Sequence, residues 1–141
     1  MKVVIGSDHG GFALKKVVLE LLGNLGHEIQ DIGCYTLDSV DYPAFADQVS
    51  EKVISGEADR GILICGTGIG MSMAANKHQG IRAALCSEQY TAHMSREHND
   101  ANVLCMGERV TGPGVAEEIV RTWLGTPFGG GRHQRRIELF S

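Results

Sequence analysis

The passage Cys65-Gly66-Thr67-Gly68-Ile69-Gly70 carries the chain from a buried strand into a helix, and it narrows the available folds more than any other segment. Ile62 to Ile64 is a short apolar run bounded by turn signals, which reads as a buried strand. Met71 to Lys77 reads as helix, so three glycines at every second position line a strand-to-helix turn. Glycine lacks the Cβ that restricts backbone dihedrals, so neighbouring N–H groups can converge on one point. With a helix N-terminus behind them, such amides form a site for negative charge. Cys65 stands at the strand end, where the positive helix terminus favours a thiolate. A potential base and an oxyanion cradle are therefore adjacent, a pairing that suits carbanion chemistry. The plainer reading makes Cys65 a small core hydrophobe and the loop one of many glycine-rich turns found in nucleotide binders. Two nucleotide patterns fail. In G-x-G-x-x-G the third glycine would fall at Met71, and no Gly-Lys-Ser/Thr follows to make a P-loop.

The same alternation runs through the whole chain. Strands are expected at Val3 to Gly6, Glu28 to Ile32, around Ile62 to Ile64, at Arg82 to Cys86 and at Asn102 to Met106. Helices are expected at Gly10 to Leu25, Tyr42 to Ser55, Met71 to Lys77, Glu88 to Arg96 with Ser87 as N-cap, and Gly114 to Leu124 behind Pro113. Gly125 to Gly131 is rich in helix breakers, and a basic tail follows from about residue 131. Five βα units predict an α/β protein, a three-layer Rossmann-like fold with a five-stranded parallel sheet. Such sheets bind ligands beyond the carboxyl ends of their strands, where the strand order switches. Ser7-Asp8-His9-Gly10-Gly11 after the first strand and Gly66 to Gly70 after the third would then face one crevice, with the segment through Tyr42 within reach.

With 141 residues the chain is expected to form one domain over residues 1–141. A net charge of −4 argues against a general nucleic-acid binder. Cys34, Cys65, Cys86 and Cys105 are widely spaced with no C-x-x-C pair, which fits a reducing compartment and not a disulfide framework. Met1-Lys2-Val3-Val4-Ile5 runs directly into a strand without the longer apolar stretch of a signal peptide, and no window approaches a membrane span. The expectation is a cytoplasmic protein.

Each remaining candidate has two readings. Asp8 and His9 could be an acid/base pair or hydroxyl clamp, or simply a helix cap beside a solvated imidazole. His98-Asn99-Asp100-Ala101-Asn102 could be no more than a helix C-terminus, since Asn tolerates left-handed dihedrals and His suits the negative helix end. It should emerge at the far end of the sheet from the crevice, so a functional His98 would act on a neighbouring subunit. His93 and His98 are five apart, roughly 140° around a helix, and no metal-ligand spacing is present, so no metal site is expected. Arg132 and Arg136 share one face if the tail is helical, and two guanidinium forks suit a phosphate dianion. The alternative is a solvated basic terminus. Arg109, after the fifth strand, is a third possible phosphate partner.

Taken together, Gly6-Ser7-Asp8-His9-Gly10-Gly11, Asp41-Tyr42-Pro43, Cys65-Gly66-Thr67-Gly68-Ile69-Gly70, His98-Asn99-Asp100-Ala101-Asn102 and Arg132-His133-Gln134-Arg135-Arg136 resemble the B-type ribose-5-phosphate isomerases over essentially the full length. That family also contains allose-6-phosphate and galactose-6-phosphate isomerases. The resemblance implies a homodimer, or a tetramer, whose active sites are shared between subunits and which needs no cofactor. Cys65 would be the base that moves a proton between C2 and C1 of the opened sugar. Some members use a glutamate further along the loop, where Ser72 and its neighbours here offer no carboxylate. Thr67 would assist proton movement between the two oxygens, and backbone amides of Gly66, Gly68, Ile69 and Gly70 would hold the enediolate. Asp8, His9 and Tyr42 would bind or help open the sugar. The partner subunit would supply His98 for ring opening and Asn99 for a hydroxyl, while Arg109, Arg132 and Arg136 would hold the phosphate. Two other functions fit the same residues: an isomerase for a six-carbon sugar phosphate, and a sugar-phosphate binding module without catalysis, which would have no need of the thiol.

Overall fold

Val3-Val4-Ile5 and Ile62-Leu63-Ile64 are apolar at every position because their strands are covered on both faces, the condition of a parallel sheet between two helical layers. The computed structural model describes residues 1–141. In chain order the elements are β1 (Lys2–Ser7), a single 3-10 turn (His9–Gly11), α1 (Phe12–Asn24), β2 (Glu28–Asp31), α2 (Tyr42–Ile54) and β3 (Arg60–Cys65). They continue with α3 (Ile69–Ala75), β4 (Ala83–Leu85), α4 (Gln89–Glu97), β5 (Val103–Gly107), α5 (Pro113–Gly125) and α6 (Arg132–Glu138). All strand pairs are parallel, and the sheet order is β2-β1-β3-β5-β4. The order therefore reverses between β1 and β3, and the loops after these two strands flank the switch point.

Strand alternation sends successive side chains to opposite faces. Val3, Ile5, Ile62, Ile64, Leu104 and Met106 pack against α1, α4 and α5, with the fully buried Trp123 in their midst. Val4, Leu63, Cys65, Val103 and Cys105 pack against α2 and α3 through Ala46, Val49, Met71 and Ala75. Each large apolar side chain taken from water contributes about 1.5–3 kcal/mol, so the two cores fix the sheet from both sides. No helix is long and apolar enough to cross a membrane.

The element order agrees with the alternation in the sequence, and the boundaries differ where side chains intervene. Helix α3 starts at Ile69, not Met71, because Gly68 takes a left-handed φ of 80° and serves as its N-cap. It stops at Ala75, short of Lys77. There the Asn76 amide donates to Ala83 O and accepts from Ala83 N at 3.0 and 2.8 Å, turning the chain toward β4. Helix α4 is capped by Glu88 instead of Ser87, since the Glu88 carboxylate accepts from the Tyr90 and Thr91 amides at 2.6 and 3.0 Å. Strand β4 is only Ala83–Leu85. The tail is helical over Arg132–Glu138, which puts Arg132 and Arg136 one turn apart.

Candidate active site

Cys65 is the last residue of β3, on the α2/α3 face, and only 5% of it is exposed. Past it the chain folds back so that the Gly68 N–H donates to Cys65 Sγ at 3.0 Å. This is the one backbone donor that the sulfur receives. The turn must be glycine at this point. A methyl on Gly68 would meet Leu85 Cδ1 at 2.6 Å and the Met106 carbonyl carbon at 2.8 Å, besides the strain of the positive φ. The Ile69 N–H donates to Thr67 Oγ1 at 3.2 Å, which leaves the exposed Thr67 hydroxyl proton free. The N–H groups of Gly66, Thr67 and Gly70 donate to no protein acceptor. The loop thus splits its amides between shaping the thiol and offering open donors.

Strand β5 supports this loop from below. Its ladder with β3 continues past both strand ends, Glu108 N–H donating to Cys65 O at 2.9 Å and Arg109 N–H to Gly66 O at 3.0 Å. Arg109 is thereby laid across the loop, its Nη1 3.2 Å from where a Gly66 methyl would stand. Cys105 shares the core face with Cys65 but is fully buried, and burial pushes its thiol up, the neighbouring Cys65 and Cys86 adding to the shift. Burial pushes Cys86 up as well. Those two thiols stay protonated, and Cys65 alone of the three carries a backbone donor on its sulfur.

The loop after β1 touches the same place. Asp8 N–H donates to Ile64 O at 3.2 Å, and Asp8 Oδ1 accepts from the Gly11 amide at 3.1 Å, capping the 3-10 turn. A methyl on Gly10 would stand 3.3 Å from both Asp8 Oδ1 and Gly66 N, so the two loops are in contact. The Val40 N–H donates to His9 Nδ1 at 3.2 Å. A backbone amide can only donate, so Nδ1 is the unprotonated nitrogen and the ring proton sits on Nε2. Tyr42 opens α2, and its ring covers Gly70, where a methyl would lie 2.6 Å from Cζ and 2.9 Å from the hydroxyl oxygen. Cys65, Thr67, Asp8, His9, Tyr42 and Arg109 therefore converge at the carboxyl ends of β1, β3 and β5.

His98, Asn99, Arg132 and Arg136 do not join them. His98 ends α4 just before β5 begins, at the opposite edge of the sheet. The His98 and His133 rings are stacked with centroids 4.2 Å apart and planes 17° apart, tying α4 to α6. Desolvation against that stack, with the charges of His98, Arg132 and Arg136, holds His133 below its ordinary value against the opposing pull of Glu97. The turn after His98 has Asp100 at φ 46°. Arg96 Nη1 donates to Asp100 Oδ1 at 2.8 Å, and Arg82 Nε donates to Asn99 O at 3.0 Å. The structure has two clusters, one at each edge.

Sequence reasoning missed several residues that build these clusters. The Glu108 carboxylate accepts from the Leu14 amide at 2.8 Å, holding α1 to the end of β5. Lys15 is buried and bonded to Asp31. The signal for Lys15 was present: it falls on the apolar face of α1 with Val18 and Leu22, where a charge is out of place. His133 carried no such signal, since its partner is distant in sequence. No group of three or more His, Cys, Asp and Glu side chains is gathered to hold a metal ion.

A family model described as Ribose/Galactose Isomerase matches residues 3–140. Ribose-5-phosphate isomerase B of Escherichia coli (strain K12) is 52% identical over 137 residues, spanning 97% of this chain and 92% of that protein. The solved ribose-5-phosphate isomerase B of Clostridium thermocellum matches with a TM-score of 0.98 at 56% identity, covering 99% of this chain and 94% of the other. The Thermotoga maritima ribose 5-phosphate isomerase matches at 0.96 and 51% identity, with 98% and 95% covered. A parallel sheet whose switch point holds a thiol, a glycine-rich turn and a set of polar side chains, matched this closely in sequence and shape, makes the chain a sugar-phosphate isomerase belonging to the ribose/galactose isomerase family.

Proposed function

We propose that the enzyme interconverts ribose 5-phosphate and ribulose 5-phosphate with Cys65 as the base. The observation that carries this reading is the Gly68 N–H on Cys65 Sγ at 3.0 Å beside unpartnered amides of the same loop. Asp8, His9 and Tyr42 hold the sugar, with His9 presenting its Nε2 proton to a hydroxyl. The Cys65 thiolate takes the proton from C2, the electron pair moves onto O1, and an enediolate forms. Thr67 passes the O2 proton to O1 through its hydroxyl, and Cys65 returns its proton to C1, giving the ketose. The open amides of Gly66 and Gly70 meet the developing negative charge, while those of Gly68 and Ile69 set the loop's shape. One preorganised donor of this kind is worth ~3–4 kcal/mol.

The second cluster serves a neighbouring copy in this reading. His98 would open the sugar ring, Asn99 would bind a hydroxyl, and Arg132 and Arg136 would join Arg109 on the phosphate of a site whose thiol belongs to another subunit. A homodimer with two shared sites is the smallest assembly that satisfies this. Four unpaired buried thiols suit a reducing compartment such as the cytoplasm.

A coupled assay comparing ribose 5-phosphate with allose 6-phosphate and galactose 6-phosphate tests the substrate. The family description spans ribose and galactose isomerases, so a preference for either six-carbon sugar would replace the five-carbon reading. The shared site is tested by an isolated heterodimer of Cys65→Ala and His98→Asn subunits, one of whose two sites would be intact. Recovered activity supports sharing, and none in a verified heterodimer would overturn it.

A further inference from the structure

Lys15 lies on α1 with 1% of its surface exposed, and its ammonium donates to Asp31 Oδ1 at 2.7 Å and to the Cys34 carbonyl at 2.6 Å. The Tyr35 and Phe12 rings close over it, with centroids 5.1 and 5.8 Å from Nζ. Stability alone does not call for a charge at this position. Apolar residues of similar volume often replace a buried ion pair with no loss. What the ammonium does is grip the loop that leaves β2. Asp31 Oδ1 also accepts from the Gly33 amide at 2.9 Å, so one carboxylate oxygen links Lys15 to the first turn of that loop. Gly33 and Cys34 then run beside Ser7, with Ser7 N–H donating to Gly33 O at 2.7 Å and Cys34 N–H to Ser7 O at 2.8 Å. Ser7 immediately precedes Asp8. Further along the same loop, the Val40 N–H fixes His9, and the loop ends where Tyr42 begins α2.

We propose that Lys15, with Asp31, is a positioning pair that anchors the loop of residues 33–41 and so orients His9 and Tyr42 for sugar binding. This rests on the assignment of His9 and Tyr42 to the sugar. Lys15 makes no hydrogen bond to the loop from Cys65 to Gly70, whose turn at the thiol is set by its own amides and by β5, with Tyr42 meeting it only at Gly70. Loss of the anchor should therefore weaken binding and spare the proton transfer. A change that removes binding common to ground and transition states raises KM with kcat little changed.

The test uses Lys15→Met, which keeps the volume and removes the donors, and Asp31→Asn, which keeps an oxygen acceptor for both Lys15 and Gly33. Lys15→Met should raise KM for ribose 5-phosphate about tenfold, the scale of one lost contact, with kcat within about threefold of wild type. Asp31→Asn should restore most of the affinity that Asp31→Ala loses. Combining Lys15→Met with His9→Ala should add little to the His9→Ala effect on KM, because both act on one contact. Hydrogen exchange supplies a readout independent of turnover: the Cys34 and Val40 amides should exchange faster in Lys15→Met and near the wild-type rate in Asp31→Asn. Unchanged KM with unchanged exchange, Asp31→Asn no better than Asp31→Ala, or full additivity with His9→Ala would each overturn the proposal. If Lys15→Met does not fold, the Asp31 pair carries the same comparison. Should wild type fail to turn over ribose 5-phosphate, the substrate reading fails, and amide exchange still decides whether Lys15 anchors the loop.

Discussion

The two edges of the sheet hold their polar residues by different means. At the carboxyl edge the loop after Cys65 is shaped by main-chain donors and by glycines pressed against β5 and Tyr42. At the opposite edge the turn after His98 is shaped by side chains, with Arg82 and Arg96 converging on Asp100. Arg96 is 5% exposed and also donates to the Ala101 and Thr126 carbonyls at 2.6 and 3.2 Å. Main-chain donors cannot change rotamer, so they suit a place where charge must be met without reorganisation. A guanidinium network suits a place that must present groups outward from a rigid base.

If the first edge is a catalytic centre, the largest effect comes from the thiol. Cys65→Ala should cut turnover by about 10²–10⁴-fold, the usual worth of a positioned base, with sugar-phosphate affinity retained in a binding titration. Activity within a few-fold of wild type would remove Cys65 from the chemistry. Next comes the scaffold of that edge. Gly68→Ala should lower activity by roughly 10²-fold, the low end for losing preorganised electrostatics, and the reduced fold stability should be visible in urea unfolding. Gly112→Ala, where a methyl meets nothing within 4 Å, is the control.

The second edge should respond in stability first. Asp100→Ala forces a side chain other than Asp into φ 46° and takes a partner from buried Arg96. A loss of about 1–3 kcal/mol is expected in urea unfolding for a hydrogen bond to a charged group, and Asp100→Asn should lose less than half of it. The smallest effect is on pH. His133 in the fold lies below its ordinary 6.5, so the unfolded chain binds its proton more readily. This contribution is complete above pH 6.5 and is lost as the pH falls through the lowered value. His27, lowered by desolvation and by the N-terminal amino charge, acts in the same window and sense. His133→Phe, which keeps an aromatic ring against His98, should flatten part of the acid-side decline measured by unfolding at stepped pH. No change in that slope would remove His133 as a contributor.

The same contrast explains what the sequence disclosed. Main-chain architecture leaves a trace in residue type, because Gly68 and Gly70 stand where Cβ atoms or ordinary dihedrals do not fit. The strand-to-helix turn was therefore legible, along with the βα alternation and the parallel sheet. Position along the sheet followed from connectivity, which is why His98 could be assigned to the far edge. Side-chain networks left little trace beyond Lys15 on the apolar face of α1. Asp31, Glu108 and Asp100 are ordinary polar residues in sequence, and their roles depend on partners brought from other elements. The Ser87 cap went to Glu88 for a related reason: a longer carboxylate reached two amides that a hydroxyl could not serve together.

The sheet order β2-β1-β3-β5-β4 has a consequence for the chain's birth. As the polypeptide leaves the ribosome, β1, β2 and β3 can pair at once, but β4 arrives with no neighbour until β5 follows. The outer rim of β3 stays open while roughly forty residues emerge, several seconds at ~5–20 residues per second. An open rim of unpaired main-chain groups invites mispairing with other nascent chains. Closure comes when Val103–Gly107 slots in, and the same event brings Glu108 and Arg109 under the loop that holds Cys65. Maturation of the thiol's surroundings is thus tied to the last strand, and a partly made chain carries the sulfur without the support beneath its cradle.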